Sequence, residues 1–299
     1  MKPAMLQFSN NMEFIKKFDL RESNQPEQVA DSRQQTEVED VQQGHAPCIE
    51  ERKKVREMIS RGVSRPHTNL LSEKDRTAAI AGIRWLLGLQ NRDGGMPTFC
   101  QGWGMLPFDQ SSTDITAHAL RAFRAWKGKL TDDALSRKMQ RAEERMCAFL
   151  ERSQQKNGSW FPLWFGNQAM PDDVNPFYGT ARVLLALTDI QKGSVMVLNG
   201  LQYLIGSQNV DGSWGNSVEE TAVVVESLSQ FADRAEVALA YHRGLNWLLE
   251  AVESDRFLET SPIGLYFAKL WYYEDLYPII FTASALRRAL LCRSTGEIV

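Results

Sequence analysis

Three stretches of this chain are variations on one pattern: IRWLLGLQNRDGGM at 83–96, CAFLERSQQKNGSW at 147–160 and LQYLIGSQNVDGSW at 201–214. In each, an aromatic residue (Trp85, Phe149, Tyr203) stands five positions before a glutamine (Gln90, Gln154, Gln208). A glycine follows four positions later (Gly94, Gly158, Gly212), and two further on comes Trp160, Trp214 or, in the first copy, Met96. Such self-similarity restricts the chain to a repeat architecture, because one unit cannot bury its own apolar face and must stack on the next. A fourth copy is eroded: LNWLLEAV keeps Trp247 but has neither the glutamine nor the Gly-x-Trp.

A second element recurs with the first. DITAHAL, YGTARVL, EETAVVV and IFTASAL each carry a Thr-Ala pair, at Thr116, Thr180, Thr221 and Thr282, heading a run with helical period. The aromatic residue and the threonine are 31 positions apart in the first two copies. The unit is therefore an outer helix ending in the Gln turn, a connection of variable length, and an inner helix opening near Thr-Ala. Strand-like alternation is nearly absent, so the expected class is all-α, with helix pairs that form a solenoid or close into an α/α barrel. The glutamine amide is expected to donate to the unpaired carbonyls at its own helix end. The glycine supplies positive φ, and the tryptophan stacks back on the neighbouring unit. These stretches read as staples between repeats; the alternative is a ligand site built from the tryptophans.

Organisation along the chain is uneven. Residues 1–46 are polar and rich in Gln, Glu and Asn, too poor in apolar side chains to repay ordering. A helix and linker are expected over 47–74, with helical character in APCIEERKKVREMISRGV at 46–63; the repeat region spans 75–291 and a tail 292–299. A net charge of -3 gives no basic face, which excludes nucleic acid as partner. The four cysteines lie far apart and the four histidines do not cluster, so neither a metal nor another cofactor is expected, and free thiols fit a cytoplasmic compartment. The apolar stretch IGLYFAKLWYYEDLYPIIF carries Lys269, Glu274 and Asp275, which rules out a spanning helix but suits peripheral contact with a membrane surface.

Two carboxylate-bearing helix starts are candidates for chemistry. Asp114 and His118 lie at i and i+4 on one helix face, either as a dipole-favoured acid beside a histidine or as a working pair. Glu219 and Glu220 precede Thr221, either as ordinary helix-start acids or as a pair that raise one another's pKa into the range of a proton donor. PDDVN at 171–175 reads as a turn with exposed acids. Trp103, Phe177, Tyr178, Tyr266, Phe267 and Tyr273 are core or the lining of a cavity.

The glutamine–tryptophan repeat resembles that of the squalene–hopene and oxidosqualene cyclases. SSTDITAHALRAF at 111–123 resembles the family's Asp-Val-Thr-Ala-His helix, and GSWFPLWFGNQ with NPFYGTARVLLAL resembles its Gly-x-Trp…Tyr-Gly-Thr segment. GLYFAKLWYYEDLYPIIFTASAL is similar to the aromatic helix and Pro turn at the cyclase C-terminus. The likeness covers residues 75–291, roughly the C-terminal third of a full cyclase.

That resemblance implies a polyisoprenoid or triterpene lipid of the squalene type as substrate. The terminal alkene is protonated by the middle aspartate of an Asp-x-Asp-Asp motif, and the carbocation travels along aromatic faces. It also implies that His118 hydrogen-bonds that donor and, when protonated, sharpens its acidity, with Asp114 orienting or charging the imidazole. Tyr266 and Tyr273 match aromatic positions of the family's last helix; Trp103, Tyr178 and Phe267 join them as substrate-binding residues. The acid motif is missing in recognisable form. Glu37-Val38-Glu39-Asp40 mimics it with longer side chains and lacks the Thr-Ala start that follows. Glu219 and Glu220 stand, in a later repeat, where the motif puts its last two aspartates. Four visible pairs fall short of the six of a closed barrel, so an incomplete barrel with an apolar edge is expected. Three readings stay open: the C-terminal portion of a cyclase acting with an upstream half, a non-catalytic isoprenoid-binding or structural repeat protein, or a self-sufficient enzyme using Glu219 and Glu220.

Overall fold

The helix starts are set by short polar side chains that satisfy otherwise unpaired amides. Ser72 and Asp75 exchange hydrogen bonds in a capping box, and Asp132, Asn175, Ser194 and Ser217 cap later helices. The structure, a computed structural model, describes residues 72–98, 109–130, 132–163, 165–188, 192–215, 217–265 and 270–294. Among them are eight α-helices: α1 (Glu73–Leu89), α2 (Thr113–Trp126), α3 (Asp133–Ser153), α4 (Pro176–Leu187), α5 (Val195–Gly206), α6 (Val218–Leu228), α7 (Ala235–Glu253) and α8 (Leu276–Ser294).

Odd-numbered helices are outer and even-numbered helices inner. The inner row packs in the order α2–α4–α6–α8, and α1, α3, α5 and α7 lie behind it, an open row of α/α-toroid character rather than a closed barrel. The two layers differ as burial demands. Outer α3 buries Leu135, Met139, Ala142, Met146 and Leu150 along one stripe and gives its other face to water. Inner α6 is buried along its whole length, and α4 everywhere except Tyr178. The apolar, β-branched run Ala222–Val225 fits a helix enclosed on every side.

The repeated turn fastens the pairs, with a different wiring from the one expected. The Nε2 amides of Gln90, Gln154 and Gln208 do not serve their own helix ends. Each donates once within its turn, to the carbonyl of Gly94, Gly158 or Gly212, at 2.8–3.0 Å. Each donates again to the next outer helix, to Ala142, Met196 or Ala240, at 2.8–3.0 Å. One –NH2 group has two protons, so one side chain spans the turn and the following repeat. The glycine brings its backbone against that same helix: at Gly158 φ is +91° and a Cβ would sit 2.3 Å from the Asn199 carbonyl oxygen. The tryptophan indoles donate back to their own outer helices, Trp160 to Leu150 and Trp214 to Leu204, both at 2.7 Å. Their rings press on Gly200 and Gly244 of the following outer helix.

The Thr-Ala pair closes the unit from the inner side. The hydroxyls of Thr116, Thr180 and Thr221 accept from the backbone N–H of Met96, Trp160 and Trp214 at 2.9–3.0 Å. Thr282 sits seven residues into α8, and its buried hydroxyl has no hydrogen-bond partner among the described residues. The eroded fourth copy lacks the Gly-x-Trp turn whose N–H would reach it.

Short strands supplement the helices. β1 (Met96–Pro97) pairs with β2 (Ser111–Ser112), and β3 (Phe165–Asn167), β4 (Ile263–Leu265) and β5 (Leu270–Tyr272) form an antiparallel ladder, with Asn167 opposite Ile263 and Gly264 opposite Trp271. The segment expected to be part of an aromatic helix is thus partly strand, because Leu-Trp-Tyr suits pleated backbone and has strand partners here. The helix begins at Leu276, and Pro278 falls in its first turn, where no N–H is needed. No helix among the described residues is long and apolar enough to cross a membrane. The expected arm at 1–46, the helix at 46–63, Glu37–Asp40, Trp103, Tyr266 and Phe267 lie outside the described residues.

Adding one methyl at the tightest approach should separate this clasp from an ordinary turn. Gly158→Ala is expected to cost about 2–4 kcal/mol, from strained φ plus overlap with Asn199. Gln154→Leu is expected to cost about 1–3 kcal/mol, through two unpaired carbonyls. Gly193→Ala, whose Cβ would meet nothing, should change stability little. Urea midpoints at unchanged m give the comparison; equal midpoints for Gly158→Ala and Gly193→Ala would remove the clasp from the account.

Candidate functional site

Charged side chains are few on α4 and α6, the two middle helices of the inner row, and each is enclosed by its neighbours. The charged residues of α4 and α6 are Arg182 and Glu219, Glu220 and Glu226. All four are buried. They divide into two groups by the way each helix turns.

The first group caps α6. Glu220 accepts from Asn167 Nδ2 at 2.8 Å on one oxygen and from the Ser217 hydroxyl at 3.1 Å on the other. Glu219 accepts from the backbone N–H of Ser261 at 3.1 Å. Gly215 makes room for the carboxylate: its φ is +61°, and any Cβ there would overlap Glu220 Oε2. Burial pushes both carboxyls up to about 7, opposed by these donors; for Glu219 the neighbouring Glu220 adds to the rise. The pair lies in the first turn of α6, and burial, rather than the mutual repulsion expected of adjacent carboxylates, is the main cause of the rise. The donors tie the pair to the β3–β4 end of the molecule.

The second group lies along the inner helices. Asp114 and His118 sit on α2, Tyr178 and Arg182 on α4, Glu226 on α6, and Tyr277, Phe281 and Ser284 on α8. Arg182 Nη1 and Glu226 Oε2 are 3.6 Å apart, and Ser284 Oγ donates to the other Glu226 oxygen at 2.9 Å. The Arg182 guanidinium lies 5.0 Å from the ring centres of both Tyr178 and Phe281. Phe165 packs on Tyr178 at 4.5 Å, and Tyr277 stacks on Phe281 at 5.4 Å, so each of the two rings that meet the buried cation is backed by another aromatic.

The Asp114–His118 pair departs from expectation. Asp114 accepts from the Ser112 hydroxyl, and no hydrogen bond joins it to His118 among the described residues. Burial raises the Asp114 carboxyl above the usual range, against the pull of Ser112, the local backbone N–H groups and Arg182. His118 has an exposed edge, yet the protein around it costs the imidazolium much of its hydration. That loss, with the charges of Arg182 and Arg121, brings its pKa down to about 4. Lost hydration first, and then the two guanidiniums, favour the neutral imidazole over the charged one that the resemblance implied. Tyr178 faces Arg182, whereas Tyr273 is 63% exposed beyond β5. Sequence reasoning missed Arg182, Glu226 and Phe281. An arginine within the apolar run of α4 and a glutamate after the Ala222–Val225 run of α6 were the available signal.

Residues 58–222 match the family described as the squalene-hopene cyclase C-terminal domain. A probable squalene–hopene cyclase of Sinorhizobium fredii is 26% identical over 262 residues, covering 75% of this chain and 37% of its own length. Enfumafungin synthase of Hormonema carpetanum is 28% identical over 205 residues, covering 56% of this chain and 15% of its own length. The chain thus spans well under half of these relatives. Among solved structures, an ent-copalyl diphosphate synthase from Streptomyces platensis superposes with a TM-score of 0.51 at 24% identity, over 68% of this chain and 37% of that one. That likeness is one of fold.

The raised carboxyls make stability pH-dependent with a definite sign. Glu219 and Glu220 hold their protons in the folded chain up to about pH 7, whereas their ordinary value is 4.5. Their stabilising contribution is therefore present below about pH 4.5 and is lost as pH rises through 7. A Glu219→Gln/Glu220→Gln chain should gain on the native one steadily across that window and then run parallel to it. Urea midpoints from pH 5 to 8 measure this, and parallel profiles throughout would mean that both carboxyls ionise normally.

Proposed function

The chain belongs to the squalene–hopene cyclase family, through the family's C-terminal domain, and on that premise we propose that it forms the C-terminal wall of a barrel for protonation-initiated cyclisation of a polyisoprenoid. The observation that carries this reading is the pair Asp114 and His118 on the inner row, the positions at which the resemblance places the supports of the proton donor, with the substrate-lining candidate Tyr178 on the neighbouring inner helix. A neutral His118 has one ring nitrogen free to accept a hydrogen bond from a carboxylic acid, which orients that acid without charging it.

Glu219 and Glu220 do not suit the donor's role. A carboxyl with a pKa near 7 holds its proton far too tightly for an alkene, whose conjugate acid is among the strongest in organic chemistry. The initiating acid accordingly comes from outside the described residues or from a second polypeptide carrying the upstream repeats. Peripheral contact with a membrane fits the same reading: Leu270, Tyr272, Tyr273, Leu276 and Ile280 form an outward apolar stretch suited to the surface from which such a substrate would be drawn.

A second reading, non-catalytic isoprenoid binding, is favoured by Arg182. Its guanidinium already lies over the rings of Tyr178 and Phe281, whose faces would otherwise steady a carbocation.

Incubation with squalene discriminates. Cyclised product is expected only when an upstream half carrying Asp-x-Asp-Asp is added, with His118→Ala lowering the rate by about a hundredfold. Product from the purified chain alone, abolished by Glu220→Gln, would overturn this assignment. Retention of squalene without product in any combination, unaffected by His118→Ala, selects the binding protein.

A further inference from the structure

The start of α2 departs from the rule that the other serine-led helices follow. Ser72, Ser194 and Ser217 each accept, on the hydroxyl, from a backbone amide of the first turn they cap. Ser112 stands at the N-cap of α2 and makes no such bond. Its register is that of Ser217: each lies four residues before the threonine of its clasp, Thr116 in one case and Thr221 in the other. A serine that caps stabilises its helix, so a hydroxyl turned away from the cap is held by something else.

Its partners lie on both sides of the first turn. The Leu163 N–H, 51 residues further along the chain, donates to Ser112 Oγ at 2.9 Å, and Ser112 Oγ donates to Asp114 Oδ1. An N–H can only donate, so the hydroxyl accepts there and its single proton goes to the carboxyl. Accepting one hydrogen bond makes the hydroxyl a stronger donor of the next. Ser112 is 2% exposed and Asp114 5%, so little water competes for either. The Ser112 backbone is fixed as well, because its carbonyl accepts from the Thr116 hydroxyl at 2.6 Å. Alongside runs a second tie, in which Asp114 has no part: Thr113 Oγ1 donates to the Phe161 carbonyl at 2.7 Å. With Oδ1 committed as an acceptor, a proton that the carboxyl holds belongs on Oδ2.

We propose that Ser112 is a positioning residue for Asp114: steered by the Leu163 N–H of the following repeat, it occupies Oδ1 and leaves Oδ2 to serve the proton donor. The role rests on the reading above that Asp114 supports the donor of a cyclisation, and it makes the segment after Trp160 part of that support. Burial raises the Asp114 carboxyl, and the Ser112 hydroxyl is the largest influence against the rise. Of the titratable groups on other helices, Arg182 and Tyr178 of α4 interact with Asp114, and His118 shares its own helix. None of these is altered when Ser112 is, so loss of the hydroxyl should move the carboxyl to a higher pKa still.

Two measurements test this: squalene cyclisation across pH by the full chain with its upstream half, and carbon-13 NMR titration of the Asp114 carboxyl in the full chain. Asp114→Asn identifies the resonance. Ser112→Ala is expected to lower kcat about tenfold with KM little changed. The carboxyl should titrate at higher pH, and the limb of the pH–rate profile that Asp114 governs should shift upward with it. Thr113→Val cuts the neighbouring tie to Phe161 and spares the Ser112 chain, so it should match the native chain in both measurements, with circular dichroism checking the fold of each variant. Equal losses in Ser112→Ala and Thr113→Val would mean that both residues merely anchor the 161–163 segment, which overturns the role. A native rate in Ser112→Ala, or an Asp114 titration that does not move, overturns it too and leaves the cyclisation reading standing. No product from the native chain with its upstream half sinks that reading and this role together.

Discussion

The fold depends on how far one primary amide can reach. In Gln90, Gln154 and Gln208 the same –NH2 group bonds a carbonyl of its own turn and a carbonyl of the following outer helix. Both bonds must be made at once, which fixes the distance between consecutive outer helices. Gly94, Gly158 and Gly212 permit that distance, because at each of them the backbone approaches the next helix more closely than a Cβ would allow. The threonine hydroxyl then locates the inner helix against the same turn. Outer helix, turn, inner helix and next repeat meet within a few ångströms, and the row is a succession of such junctions.

Repetition of that junction places the starts of α2, α4 and α6 alike, and it explains why their chemistry can differ. The clasp uses the threonine and the turn, leaving the adjacent inner positions unconstrained. On α2 those positions hold Asp114 and His118; on α4, Tyr178 and Arg182; on α6, Glu219, Glu220 and Glu226. The carboxyls at the top of α6 are drawn to Asn167 and Ser261 and help fasten the small ladder of β3 and β4. Further down, Glu226 meets Arg182 and Ser284, where helices from three repeats converge. A pair of acids that look alike in sequence to other helix-start carboxylates is therefore structural in its contacts, and the unheralded arginine–glutamate pair occupies the centre of the inner face.

Much of this could be read from the chain without coordinates. The helix pairs, their order, the role of the glycines and the family likeness all follow from local patterns, since a clasp made within ten or so residues leaves its mark in ten or so residues. Two kinds of feature could not be read. The destination of the glutamine amide was one, because its second acceptor lies 32 to 52 residues away. The environment of His118 was the other: Asp114 at i−4 suggested a charged imidazole, while burial by the packed helices, with Arg182 from another helix and Arg121 from one turn on, favours the neutral form.

The sequence by itself determined that this protein is a stack of helix pairs held by glutamine–glycine–tryptophan turns, and that it carries the cyclase signature, because those turns are short-range objects. Only the tertiary structure decided which acids are tied up in stitching, that the surroundings of the histidine favour its neutral form, and that a guanidinium lies over both Tyr178 and Phe281. Each of these depends on desolvation and on charges brought together from separate repeats, and neither quantity exists until the inner helices have packed.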